Sequence, residues 1–260
     1  MGIDADKFIL LLVLTFTAGF IDAVAGGGGL ISVPAYFLTG LPPRLALGGN
    51  KLSACAGTFC AILRFWKNRR ILWREALSGM GGAFVGAALG TLLAFLIDGE
   101  KLKFAIVIAL PFIAAAVLGG DAFKRDPDGA ARPGPLKSIV LATAVGLVVG
   151  CYDGLIGPGT GTFLIILSTL LLKIDLVTSS GNAKVINFAS NLASVIVFAV
   201  HGSIPYKIAL PAAAASILGG YLGVGFCVRR GSKGVRRMLV AVLILLFARL
   251  AWDVIRNFLG

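Results

Sequence analysis

The chain has 260 residues, 58% of them hydrophobic and 14% charged, with a mean hydropathy of +0.94. Soluble domains run about 45–50% apolar and about 25% charged, so a water-soluble globular domain is excluded. The net charge of +12 does not signal nucleic acid, because the basic residues cluster in short connections between apolar runs and no RNA-binding signature accompanies them.

The apolar runs are mostly 17–25 residues long, enough to cross about 30 Å of hydrocarbon, and the ~10-residue alternating segments of a membrane barrel are missing. The fold class is therefore an all-α polytopic membrane protein. In chain order, residues 8–24 form a first apolar segment. It is broken by Gly26, Gly27, Gly28 and Gly29, and a short run then reaches Leu38. Pro42 and Pro43 mark a turn; a long helix covers about 44–66 and closes on Lys67, Asn68, Arg69 and Arg70. The next covers about 74–97 and carries Gly79, Gly81, Gly82, Gly86 and Gly90, residues that permit close helix contact. A further crossing is expected over 101–120, and the polar stretch 121–136 is a cytoplasmic linker between two transmembrane repeats, 1–120 and 137–260. The second repeat follows the same plan: an apolar run over 137–151, a break across 154–161, a run to Lys173, and helices at about 176–200, 205–228 and 235–258. About eight transmembrane helices result, plus two broken or re-entrant glycine-rich segments.

The duplication can be aligned by residue. Gly19 and Asp22 match Gly150 and Asp153 at an offset of 131; Lys51 matches Lys184, Phe65 matches Phe198, and Gly86 and Gly90 match Gly219 and Gly223 at an offset of 133. If each half made four simple crossings, Lys and Arg would divide 12 to 9 between the two sides. If each glycine-broken segment is a hairpin, the division becomes 14 to 7 and the halves become inverted. The positive-inside rule prefers the inverted arrangement, with both termini outside.

Two stretches carry the polar chemistry. Irregular backbone at membrane depth survives only where it is buried in protein or lines a cavity, and helices broken there can present amide groups to an anion. Gly26, Gly27, Gly28 and Gly29, with Gly157, Gly159 and Gly161, suit that role, although tight helix packing would also use glycine. Lys51 and Lys184 lie only seven to eight residues into apolar helices, as inward-facing ligands for an anion or as snorkelling cations. Asn50, Ser53, Asn182, Asn187 and Asn191 decorate the same helices, and Asn187 and Asn191, four apart, share a face. Asp22 and Asp153 are candidates for coupling or gating through proton exchange, for pairing with the lysines, or for capping the broken helices. Cys55, Cys60, Cys151 and Cys227 fall in apolar segments without a CxxC, and the single His201 has no partner constellation, so neither a metal nor another cofactor is expected. A cleavable signal peptide is not expected either, since the first apolar run follows Asp4 and Asp6 and lacks an A-x-A-like end.

At these residues the chain resembles the sulfite exporter TauE/SafE family, also called the toluene sulfonate uptake permease family. The run from Asp22 to Pro34, Gly49-Asn50-Lys51-Leu52, and Gly181-Asn182-Ala183-Lys184-Val185-Ile186-Asn187 carry the likeness, as does the two-half layout over the whole chain. The resemblance implies a secondary transporter of the bacterial inner membrane for sulfite, sulfonates, sulfoacetate or other small anions. Alternating access would be its mechanism. The partners expected are a small anionic substrate and the lipid bilayer; proton coupling and a homodimer are compatible with the sequence. An anion channel using the same lysines is the rival reading. An enzyme is not expected: Asp22 lacks the Gly-x-Gly-Asp context of intramembrane aspartyl proteases, and P-loop and HExxH motifs are missing.

Overall fold

A computed structural model describes residues 4–98, 101 and 131–259; the crossing expected over 101–120 and most of the linker lie outside the described residues. Within them the chain is helical: α1 (Ala5–Ala25), α2 (Gly29–Leu38), α3 (Pro43–Lys67), α4 (Trp73–Leu96), α5 (Pro135–Leu155), α6 (Thr160–Leu172), α7 (Leu176–Val200) and α8 (Tyr206–Leu259). Proline at the first helical position starts α3 and α5, where its missing N–H has no intrahelical partner to lose. The Asp175 carboxylate opens α7 by accepting from the amides of Val177 and Thr178 at 3.1 Å each. Among the described residues five helices are long and apolar enough to cross a membrane, while α2 and α6 are shorter apolar helices. Large apolar side chains, among them Leu77, Val85, Leu89, Val148 and Leu218, are exposed around the outside. Such a surface would be a liability in water and is the expected one in hydrocarbon.

Both glycine-broken segments double back. Ala35 and Tyr36 of α2 pack with Leu11 of α1, and Leu172 at the end of α6 packs with Ala142 near the start of α5. Each segment is thus a helical hairpin. The second break is narrower than the sequence suggests: α5 keeps Gly154 and Leu155 and the interruption is confined to residues 156–159, because Gly154 is needed in the helix to pass the Ala87 carbonyl of α4. The connection expected between 228 and 235 shrinks to one residue, Gly231, whose left-handed backbone (φ 60°, ψ −164°) interrupts α8.

Small residues set the helix contacts, as is usual where apolar lipid removes the hydrophobic drive between helices. A Cβ at Gly86 would run into the Leu147 carbonyl, and one at Gly90 into that of Cys151; at Gly219 and Gly223 the obstacles are the carbonyls of Phe16 and Phe20. Gly150 meets the Ala83 carbonyl as Gly19 meets that of Ser216, and Gly181 meets Arg70 as Gly48 meets Ser203. Each of these glycine contacts in one half therefore has its counterpart in the other, at the offsets that align the two sequences. The same contacts fix direction. Helix α8 runs alongside α1 and α3 in one direction, with Gly223 beside Phe20, Ser216 beside Gly57 and Pro205 beside Gly49. Helix α4 runs alongside α5 and α7, with Gly86 beside Leu147, Leu72 bonded to Asn182 and Thr91 bonded to Ser194. Helices α3 and α7 are antiparallel, Gly48 lying beside Ser203 and Gly181 beside Arg70.

Candidate functional site

The two hairpin tips meet. Helix α1 closes on Gly26 (φ 73°), whose N–H donates to the Asp22 carbonyl at 2.8 Å, and α6 opens from Gly159 (φ 86°), so both turns occupy the left-handed region that favours glycine. Gly26 and Gly161 touch backbone to backbone. The Thr162 amide donates to the Gly26 carbonyl at 3.2 Å and the Thr162 hydroxyl to the Ala25 carbonyl at 2.8 Å. From α7, the Ser180 hydroxyl donates to the Val24 carbonyl at 3.3 Å. Thus the first hairpin is pinned by residues of the second half, and the N-terminal turns of α2 and α6 come together.

Two buried ion pairs flank the meeting point, and each joins one half to the other. Lys51 Nζ on α3 lies 2.7 Å from Asp153 Oδ2 on α5 and also donates to the Asp153 carbonyl at 2.7 Å; the two side chains are 6% and 4% exposed. Lys184 Nζ on α7 lies 2.6 Å from Asp22 Oδ2 on α1, with exposures of 0% and 19%. The Asp153 carboxylate is further held by hydroxyl donors, Thr160 to Oδ1 and Ser190 to Oδ2, each at 2.7 Å. Ser190 is itself close to Asn187, whose Oδ1 accepts from Asn191 Nδ2 at 3.2 Å. The Asp22 carboxylate receives, besides Lys184, one long bond at 3.4 Å from the Gly28 amide. Charges in this setting are costly unless paired, and both pairs meet that condition at close range.

Between the tips and α3 lies a cavity with about 610 Å³ of unfilled space, its open mouth included. Of the residues singled out from the sequence, it is lined by Asp22, Gly26, Gly28, Gly29, Asn50, Lys51, Ser53, Asp153, Gly157, Gly159, Gly161, Asn187 and Asn191. Three stand apart. Gly27 accepts from the Leu30 amide inside the tip. Lys184 is fully buried behind Asp22. The Asn182 side-chain oxygen accepts from the Leu72 amide at 2.8 Å, which places it at the start of α4. Sequence reasoning missed Thr160 and Ser190. The first directly follows the glycine turn and the second stands three residues after Asn187, on the face that Asn187 and Asn191 mark.

The family model described as sulfite exporter TauE/SafE matches residues 11–250 of this chain. A probable membrane transporter protein of Haemophilus influenzae is 38% identical over 97% of this chain and 98% of its own length. The probable membrane transporter protein ORF9 of a Sinorhizobium species is 32% identical over 94% of this chain and 92% of its own, and the probable membrane transporter protein YfcA of Escherichia coli K12 is 30% identical over 94% and 91%. No solved structure matches.

Proposed function

The chain belongs to the sulfite exporter TauE/SafE family and is a multi-pass membrane transporter, and we propose that it carries a small compact anion, of sulfite, sulfonate or sulfoacetate type, by alternating access. The observation that carries this reading is the convergence of two helix N-termini and the Lys51–Asp153 and Lys184–Asp22 pairs on one cavity. The N-terminal turns of α2 and α6 place amide dipoles where an anion is stabilised. A sulfonate presents three compact oxygens, suited to convergent amides and a lysine point charge. Ser53, Asn50, Asn187 and Asn191 supply neutral hydrogen-bonding groups on the cavity wall.

With each lysine neutralised by an aspartate, an anion entering the site adds uncompensated charge. A proton taken up by one carboxylate offsets one unit of that charge, so a monoanion such as bisulfite or a simple sulfonate couples to one proton in an electroneutral step. Support for alternating access comes from the helix directions. Helices α1 and α3 run opposite to their sequence counterparts α5 and α7, the relation expected of inverted repeats, and such repeats rock about a central site in secondary transporters. Pairing of both lysines inside the closed protein speaks against an open anion pore lined by free cations.

The test is counterflow in proteoliposomes. Labelled sulfite outside should exchange saturably against unlabelled sulfite, a sulfonate or sulfoacetate inside. Flux without saturation or exchange would identify a channel, and absence of flux for every anion tried would overturn the assignment of substrate class.

A further inference from the structure

The two lysine–aspartate pairs are equivalent in sequence but not in surroundings. Asp153 is held by Lys51 at both its carboxylate and its backbone carbonyl, by Thr160 and by Ser190. The aligned positions around Asp22 are Gly29 in place of Thr160 and Gly57 in place of Ser190, and neither has a hydroxyl to give. Among the described residues Asp22 keeps Lys184 and one long amide bond. The walls differ in the same sense. Ala18, Ser53 and Ala54 line the cavity, and the aligned positions of the second half carry the larger Val149, Ile186 and Asn187, of which Asn187 lines the same cavity. Both carboxylates line the cavity, but the Asp22 side chain is 19% exposed and that of Asp153 only 4%.

Resting on the transporter reading above, we propose that Asp22 is the exchanging carboxylate of the cycle and that Asp153 is a fixed part of the framework. Asp22 lines the cavity, and Lys184 lies behind it without exposure. A proton arriving from the aqueous side of the cavity neutralises Asp22, its hold on Lys184 is released, and the carboxyl group turns aside to let the ammonium meet the anion. Charge balances: one proton and one monoanion enter a pair that was neutral. Among the described residues, the other charged or titratable groups facing this point are Lys51 from α3 and Asp153 from α5, already committed to each other, and Cys227 from α8 within electrostatic reach of Lys184. The hairpin helices α2 and α6 contribute amides and the hydroxyls of Ser32 and Thr160.

Dicyclohexylcarbodiimide reacts with protonated carboxyl groups in apolar surroundings, and its adducts can be located by peptide mass spectrometry. With the full chain in lipid nanodiscs, taken from neutral to mildly acidic pH, adduct should accumulate on Asp22 and be absent from Asp153. Labelling of Asp153 to the extent of Asp22, or an Asp22 that never reacts, overturns the assignment. That readout needs no knowledge of the transported anion. In the sulfite assay, Asp22→Asn should lower uptake and remove its pH dependence, and Asp22→Glu should restore that dependence. A wild-type protein that labels as expected but shows no counterflow of any anion tried would retire the substrate class proposed above and leave the assignment of the exchanging carboxylate standing.

Discussion

Lys51 and Asp153 sit almost out of reach of solvent, so the pair stands or falls together. Removing one partner of a buried ion pair leaves an uncompensated charge and costs about 3–5 kcal/mol, whereas replacing both by neutral groups is often close to neutral. We expect Lys51→Met to lower the Tm of the purified protein by on the order of 10 °C, since each kcal/mol moves the midpoint of a chain this size by a few degrees. Lys51→Met combined with Asp153→Asn should regain most of that loss while sulfite counterflow stays absent in both. A double variant as unstable as the single one would show that the lysine's packing, and not its charge, holds the site. Differential scanning fluorimetry with parallel counterflow reads both arms. The residues that matter here were visible in the sequence because they are polar where hydrocarbon is expected, a signal that picks out Asp22, Lys51, Asp153 and Lys184. Their partners were not. Nothing in spacing says that Lys51 pairs with an aspartate 102 positions later instead of with Asp22, because the pairing depends on how the halves interlock.

At the level of helices, glycine does two jobs that the sequence alone does not separate. In α4, Gly81 has no neighbour among the described residues within 4 Å of where a side chain would go, while Gly86, five residues later, lies against the Leu147 backbone of α5. A flexible side-chain neighbour could yield; a backbone carbonyl in a packed helix cannot without moving the helix. Gly86→Val should therefore prevent α4 and α5 from closing and abolish the monodisperse detergent-solubilised protein in size-exclusion chromatography. Gly81→Ala should leave it unchanged, or slightly more stable, since alanine exceeds glycine in helix propensity by about 1 kcal/mol. Equal tolerance at both positions would mean that the α4–α5 contact does not hold the bundle. Hairpin geometry was legible from the glycine run followed by a short apolar stretch, since ten residues of α2 are too few to cross. The widths of the breaks were less so: Gly154 reads as part of a loop but serves helix packing, and the turn around 229–234 reduces to Gly231 because one left-handed residue suffices to redirect a helix.

Across the whole molecule, the helix directions sort the charges. Lys67, Arg69, Arg70 and Arg74 surround the α3–α4 connection, Arg70 lies 4.0 Å from Asp175 at the start of α7, and Lys137 stands at the start of α5 beside α4. Arg229 and Arg230 lie just before the Gly231 interruption of α8, beyond the stretch that passes Arg64 of α3. The opposite end carries Lys7, Arg44, whose guanidinium donates to the Phe95 and Ile97 carbonyls, and Lys207. Cytoplasmic connections are enriched in Lys and Arg, so we propose that the basic end faces the cytoplasm and the start of α1 the outside. Charge counting on the sequence reached the same orientation only after assuming hairpins, and the packing of Ala35 against Leu11 now supplies that premise independently. The exposed positions Asn68 and Lys207 lie at the finish of α3 and the start of α8, two helices that run the same way, and so belong on opposite faces. In intact cells a membrane-impermeant maleimide should label Lys207→Cys directly and Asn68→Cys only after permeabilisation, with the unsubstituted protein as the blank for its four native cysteines. The reverse pattern would turn the molecule over in the membrane. Labelling of both from one side would contradict the shared direction of α3 and α8, and with it the support that the opposed helix directions give to the proposed alternating access.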